Sequence, residues 1–430
     1  MKILKTSLIP VISLISLTLN GIVHATPAPI VSFEEQGRTP NQKAIGANLD
    51  KFKINPNDDM YTLLRALDRS GNVARGLEQL SPQRYQIYSD IALANANVLT
   101  QAIDQRLNNL RSGSESFGLG GLSVSTGDSK QTIAPASGKD GKAPVEQTSA
   151  NRWGAFLSGD VAFGNLDGRG WQQDSNFTNS GLVAGIDAKL TDALTTGVLF
   201  AYSHSDVDLD SQNSNANVDA YSTGLYGGYH EGNFYGNGLA TFTRNIYESD
   251  RNIDIPGSSR TANGRTAGSQ YMVNLDGGYD HPVAKDLTVG PFAGLQYVHM
   301  DVNAFTENGA GAANLALNDQ SVDSLRSRLG VRMELRKEIT ASWAAASEVR
   351  LAWMHEFANN GRAIVARFSG AGLGSFAVRT DDPERNAALI GLGLNATYRG
   401  MLTMFVDYDV QAGQSHYMEQ ILKGGFKWSF

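Results

Sequence analysis

The 430-residue chain contains no cysteine, which excludes disulfides, thiolate metal sites and cysteine nucleophiles together. The omission is either chance or selection against thiols in an oxidising compartment that the chain crosses unfolded. Charged residues make up only 18%, below the ~25% usual in soluble domains. Proline is scarce, at 12 residues against 46 glycines. The charge that remains is acidic, formally −7, and no basic stripe exists to neutralise phosphates, so nucleic acid is not expected as a partner. The seven histidines, among them His204, His299 and His355, lack metal-site spacing, and no metal or cofactor is expected. After the first 25 residues no stretch reaches the ~18 consecutive apolar residues of a membrane helix. If the mature chain enters a membrane, it must do so as a closed barrel.

The N-terminus reads as a secretory signal peptide, residues 1–25: Lys2 and Lys5, an apolar run from Leu8 to Leu19, and the small-x-small ending Val23-His24-Ala25. Residues 26–111 have helical spacing in three pieces: Asn41 to Phe52, Met60 to Leu67, and a long helix from Ser81-Pro82 to Leu110. Serine can cap the free amides there, and proline fits the first helical position. Residues 112–150 turn abruptly to Gly, Ser, Thr, Lys and Asp and read as a flexible linker, too poor in apolar surface to fold alone.

From Trp153 onward the period is two. In Leu325 to Arg336, the apolar Leu325, Leu329, Val331, Met333 and Leu335 alternate with Arg326, Arg328, Arg332, Glu334 and Arg336, so one face is apolar and the other carries the arginines. The pattern recurs in Ser342 to Phe357, where Glu348 and Arg350 oppose Val349 and Leu351. It returns in Met401 to Ala412 and in Asn386 to Arg399, where Gly391, Gly393 and Asn395 oppose the apolar set. About twelve such strands follow one another, and their connections alternate between tight turns and long polar loops. Tight turns fall at Thr191-Asp192, Glu231-Gly232, Val283 to Asp286, Lys337 to Thr340 and Arg399-Gly400; long loops fall near 165–175, 205–216, 248–266, 304–321 and 358–385. Sorted connections are the mark of an up-and-down barrel with its turns in the periplasm. The expected fold is therefore an all-β transmembrane barrel of about twelve antiparallel strands over residues 151–430. Its lumen would be lined by Arg326, Arg328, Arg332, Arg336, Glu348 and Arg350.

The chain resembles the bacterial autotransporters, the type V secretion family. The likeness rests on Trp153-Gly154-Ala155-Phe156, on Trp353-Met354-His355-Glu356-Phe357 and on the run Asn386 to Leu394. Leu77 to Tyr85 and Thr39 to Gln42 are similar to what precedes such barrels. The final Phe426, Trp428 and Phe430 resemble the signal read by the barrel-assembly machinery. The resemblance implies an outer-membrane translocator that displays its own N-terminal segment, with outer-membrane lipid, the assembly machinery and periplasmic chaperones as partners. A departure is the short pre-barrel region, residues 26–111, which leaves a minimal passenger or none. In some family members an Asn-Asn pair inside the barrel is cut, which makes Asn108-Asn109 a candidate cleavage site, although asparagines are common at helix ends for conformational reasons. Gly127-Asp128-Ser129 is similar to a lipase-like start but has no base to activate the serine, and no enzyme is expected. His204-Ser205-Asp206 admits a rim protease reading beside the ordinary one of a histidine at the headgroup boundary. The competing reading of the whole chain is a non-secreting barrel, porin-like or adhesin-like, with periplasmic helices and any surface ligand met by the Asn-, Ser- and Asp-containing loops.

Overall fold

A computed structural model describes residues 32–111, 153–166, 175–209, 214–380, 382–399, 402–414 and 417–428. The signal peptide, the linker, Gly127-Asp128-Ser129 and Phe430 lie outside them. Helices α1 (Phe33–Gln36), α2 (Pro40–Leu49), α3 (Asp59–Arg69) and α4 (Val73–Gln79) come first, and α5 (Ile87–Arg111) follows a 3-10 turn at Gln83–Gln86. Local chemistry sets their starts. Thr39 Oγ1 accepts from the Gln42 amide at 2.9 Å with Pro40 in the first turn, and Asp58 accepts from the Met60 amide at 2.8 Å. Helices α1 and α4 are not expected from the sequence because they are too short to show a period. The long helix expected from Ser81-Pro82 becomes α-helical only at Ile87.

The barrel strands are β1 (Trp153–Leu166), β2 (Ser175–Lys189), β3 (Leu194–Leu209), β4 (Ser214–Glu231), β5 (Phe234–Ile255) and β6 (Ser258–Tyr279). A short β7 (His281–Ala284) lies in a turn before β8 (Leu287–Val302). After β9 (Phe305–Thr306) and β10 (Leu315–Leu317) the ring resumes with β11 (Gln320–Thr340) and β12 (Trp343–Glu356). Then β13 (Ala363–Phe368) and β14 (Phe376–Arg379) precede β15 (Asn386–Tyr398), β16 (Leu402–Gln414) and β17 (Tyr417–Trp428). Twelve antiparallel strands form a ring, because β8 pairs with β11 and β17 pairs with β1. Phe426 and Trp428 lie in β17 opposite Met404 and Leu402.

The outward face is apolar and exposed in the isolated chain, with Leu225, Leu275, Leu329, Leu351 and Leu394 among its residues. Aromatic side chains bracket it. The pairs Tyr221 and Tyr229, Phe234 and Phe242, and Tyr271 and Tyr279 are each eight positions apart on one strand. That is about 27 Å of strand at ~3.4 Å per residue, or roughly 20 Å across a membrane after a ~40° tilt.

Several stretches expected as long loops are ordered. β5 and β6 run on to a turn at Pro256-Gly257, so 248–266 is an extended hairpin. Its polar composition conceals the strands because their outward residues, such as Asp250, Asn252 and Asp254, face water rather than lipid, while Arg251, Ile253 and Ile255 on the inner side are buried against protein. Residues 304–321 and 358–385 contribute a four-stranded sheet in the order β14-β13-β10-β9.

Helices α1–α4 pack against this end of the barrel and form a cap with the hairpin and the small sheet. α1 and α2 approach so closely that a Cβ on Gly46 would stand 2.5 Å from the Phe33 carbonyl carbon. Asn41 bridges to the edge of β14, donating to Arg379 O and accepting from Arg379 N, both at 2.8 Å. Arg260 grips Asp59 through two nitrogens at 2.6 and 2.8 Å, and Asp59 also accepts from the Ala312 amide at 2.7 Å. At the centre the fully buried Arg251 pairs with Glu307 and donates to Gln79 O at 3.0 Å and Ala313 O at 2.7 Å. Tyr85 donates to the same Glu307.

Arg251→Met should therefore loosen the cap by about 3–5 kcal/mol, since it leaves Glu307 buried and unpaired. Protease resistance of residues 32–86 should fall while the barrel keeps its heat-resistant gel mobility; an unchanged cap would show that this ion pair ties nothing. Asp59 gives a pH test. The hydrogen bond from Arg260 holds its carboxyl below the ordinary value, so its contribution is full above the unfolded pKa of ~3.9 and is lost as pH falls through the lowered folded one. Asp59→Asn should be less resistant than wild type at pH 7, and the difference should begin to shrink below about pH 4 and close once pH passes below the lowered folded value.

Candidate functional site: the occupied lumen

The 25 residues of α5, about 37 Å at ~1.5 Å each, lie inside the ring. Its N-terminal end is among the extended strands, where Tyr88 donates to Ser249 at 2.9 Å. Its C-terminal end is at the short-turn rim, where Arg111 donates to Asp280 at 3.0 Å and stacks 3.5 Å over the Tyr235 ring. Leu93, Ala96, Leu99, Ala102, Ile103 and Leu107 form a stripe against Phe156, Val183, Leu199, Tyr226, Leu239, Met272 and Val298. The helix is thus seated by ordinary apolar burial on the wall made by β1–β6 and β8.

Its other face is polar and meets the charged half of the wall. Arg326 donates to Glu356 at 2.8 Å and to Asn97 of α5 at 3.2 Å. Arg328 reaches Asn274 at 2.9 Å and Asp104 of α5 at 3.3 Å, and Arg332 reaches Asp280 at 2.5 Å. Arg350 lies between Glu348 at 2.6 Å, Asp409 at 2.8 Å and Asp407 at 3.5 Å, and Lys423 joins Asp409 and Gln101 of α5, both at 3.0 Å. Arg336 pairs with Glu334 nearer the turn. Two helix cations add to the set: Arg111, and Arg106, which holds Asp187 through two bonds at 2.9 and 3.1 Å.

Between this face and the wall runs a cleft of about 840 Å³, part of it open to solvent, lined by Asp104, Asn108, Arg328, Arg332, Arg350 and Lys423 among others. Asn108 lies in unbroken helix that continues to Arg111, with Asn109 next in the chain. Alternation puts Asp407 and Asp409 on a polar strand face but does not pair them with Arg350, and it does not single out Lys423, which shares Asp409 with that arginine. The glycines of β15 were the available signal. Gly391 faces Arg350 on one side and Asp409 on the other, and a Cβ there would stand 2.4 Å from Asp409 Oδ1 and 2.6 Å from Arg350 Nε. Absence of a side chain lets the guanidinium cross β15 to the next strand.

A twelve-stranded ring with an apolar outer belt and a helix through its lumen defines a plugged outer-membrane barrel. The autotransporter β-domain family model matches residues 155–409, and the chain belongs to that family. It is 21% identical over 404 residues to outer membrane protein A of Rickettsia rickettsii, covering 89% of this chain and 17% of that protein. It is 25% identical over 254 residues to outer membrane protein B of Rickettsia conorii, covering 56% and 15%. The chain thus spans less than a fifth of the length of these relatives. Among solved structures, the translocator domain of autotransporter NalP from Neisseria meningitidis shares the fold, with a TM-score of 0.54 and 17% identity, covering 79% of this chain and 98% of that one. The chain is an outer-membrane protein, and residues 155–409 are its autotransporter β-domain, a closed barrel.

Gly391→Val should lower barrel stability by about 1–3 kcal/mol through overpacking, read as a lower temperature for loss of the compact gel band. Gly236→Ala, whose Cβ would meet its nearest atom at 3.9 Å, should leave that temperature unchanged; equal shifts in both would refute the assignment.

Proposed function

We propose that the barrel translocates its own N-terminal region and holds it at the cell surface as a folded cap. The observation that carries the reading is the direction of α5. Residues 32–86 lie at the long-loop end, while residue 111 lies at the short-turn end. In an outer-membrane barrel the short turns face the periplasm, so the cap is outside and the chain returns inside before β1. Entry to the membrane would use the C-terminal segment, with Phe426, Trp428 and Phe430 as the signal for the assembly machinery. On this reading α5 stays continuous through Asn108-Asn109, and one full-length mature band is expected in membrane fractions.

The absence of cysteine makes a direct test simple. The exposed Lys51 of the cap and the exposed Asp192 of a short turn can each be made the sole thiol. A membrane-impermeant maleimide on intact cells should label Lys51→Cys and spare Asp192→Cys until the outer membrane is opened. Protection of Lys51→Cys on intact cells would overturn display and favour the reading with periplasmic helices.

A further inference from the structure

Outside the lumen, one side-chain arrangement occurs twice with matching geometry. On the outward face of β3, Tyr202 donates to Asp219 Oδ1 of β4 at 2.8 Å, and His204 Nδ1 lies 2.9 Å from the same oxygen. His204 Nε2 stands 3.3 Å from Asp206 Oδ1. Across β8 and β11, Tyr297 donates to Asp323 Oδ1 at 2.7 Å and His299 Nδ1 lies 2.9 Å from it, with Nε2 3.3 Å from Asp301 Oδ2. Residues two apart on a strand share a face, which sets each histidine beside its acid. A third copy on β12 and β15 is incomplete. Trp353 and His355 both reach Asn386 Oδ1, at 3.1 and 2.9 Å, but the cross-strand partner is an amide and Phe357 replaces the second acid.

Each part has a chemical meaning. A carboxylate on Nδ1–H fixes the tautomer and orientation of an imidazole whose Nε2 binds a metal, and here a tyrosine hydroxyl fixes that carboxylate in turn. Two ligands each ~2.1 Å from one cation stand ~3.0 Å apart at a right angle and ~3.4 Å at the tetrahedral angle, and both His–Asp pairs fall in that interval. Among the described residues no group of three or more His, Cys, Asp or Glu could hold a metal, so an outside ligand must complete either pair. Position supplies one. The pairs stand just beyond the aromatic edge of the apolar belt at the long-loop end, half-exposed and facing outward, level with the headgroups of the outer leaflet. Both pairs, with Asp219 and Asp323 behind them, are acidic, so they would repel a lipid phosphate unless a cation lay between.

We propose that His204–Asp206 and His299–Asp301 are two half-sites for a borderline divalent cation, completed by phosphate of outer-leaflet lipid, so that the metal ties barrel to lipid. The cation takes the place of the Nε2 proton, which is released. His355 serves as the internal control.

Zn2+ is the probe, titrated calorimetrically into the full-length chain reconstituted in vesicles. The wild type should bind two more equivalents than the Asp206→Asn/Asp301→Asn double variant, and His355→Gln should bind as the wild type does. His204→Gln/His299→Gln should reproduce the aspartate result, with the compact gel band confirming that each variant folds. Binding should tighten about tenfold in vesicles containing phosphorylated glycolipid relative to neutral vesicles with free inorganic phosphate. Equal stoichiometry in wild type and both double variants, or an equal loss on His355→Gln, would overturn the sites. Equal affinity in the two vesicle types would overturn the lipid bridge.

Discussion

Hydrocarbon offers no water to a backbone N–H or C=O, and the remainder of this structure follows from that constraint. A strand exposed to lipid must find partners on both sides, and only a closed ring provides them. The pairing of β17 with β1 closes the ring, and every side chain is then assigned to lipid or lumen by its parity along the strand. The outward set is apolar and bounded by tyrosine, phenylalanine and tryptophan. The inward set is free to be polar, and a ring of this size must fill its interior or leave it wet. Here both occur: α5 packs dry on one half of the wall and leaves a polar cleft on the other.

Parity made most of the barrel legible in the sequence. Leu325 to Arg336 declares its two faces residue by residue, and the tight turns at Thr191-Asp192 and Glu231-Gly232 orient the whole ring. The extended ends of β5 and β6 were not legible as strands. Beyond the membrane their outward residues, such as Asp250, Asn252 and Asp254, face water, so an apolar-polar alternation survives only in part. The short helices α1 and α4 fell below one clear period for the same kind of reason: their stability comes from contacts with distant residues, as when Gly46 admits the Phe33 backbone.

The lumen was half legible. Alternation places Arg326, Arg328, Arg332 and Arg350 on the inner face, but nothing local says which acids lie across the ring or one strand away. Arg350 finds Asp409 across a glycine, a relation that only the register of three strands reveals. The repeated Tyr-x-His-x-Asp of Tyr202 to Asp206 and Tyr297 to Asp301 was present as a motif, yet its meaning depends on Asp219 and Asp323, which follow at unlike distances in the chain.

The way the lumen charges are shared bears on how a segment could pass and then remain. Arg326, Arg328, Arg332, Arg350 and Lys423 each have a partner on the wall itself, in Glu356, Asn274, Asp280, Asp409 and again Asp409. The neutral amides of Asn97 and Gln101 on α5 only add to these, whereas Asp104 of α5 brings Arg328 a carboxylate that its neutral wall partner Asn274 does not. A wall that pairs all of these cations but Arg328 with its own acids depends little on the helix for its charge balance, and a passing polar chain would meet few unpaired cations to trap it. In its final turns α5 adds cations of its own. There Arg106 and Arg111 bring charge to Asp187 and Asp280, and Leu107 closes against the wall. The cations of α5 therefore meet the wall at the short-turn end, the last part to enter if the cap leads the way outward.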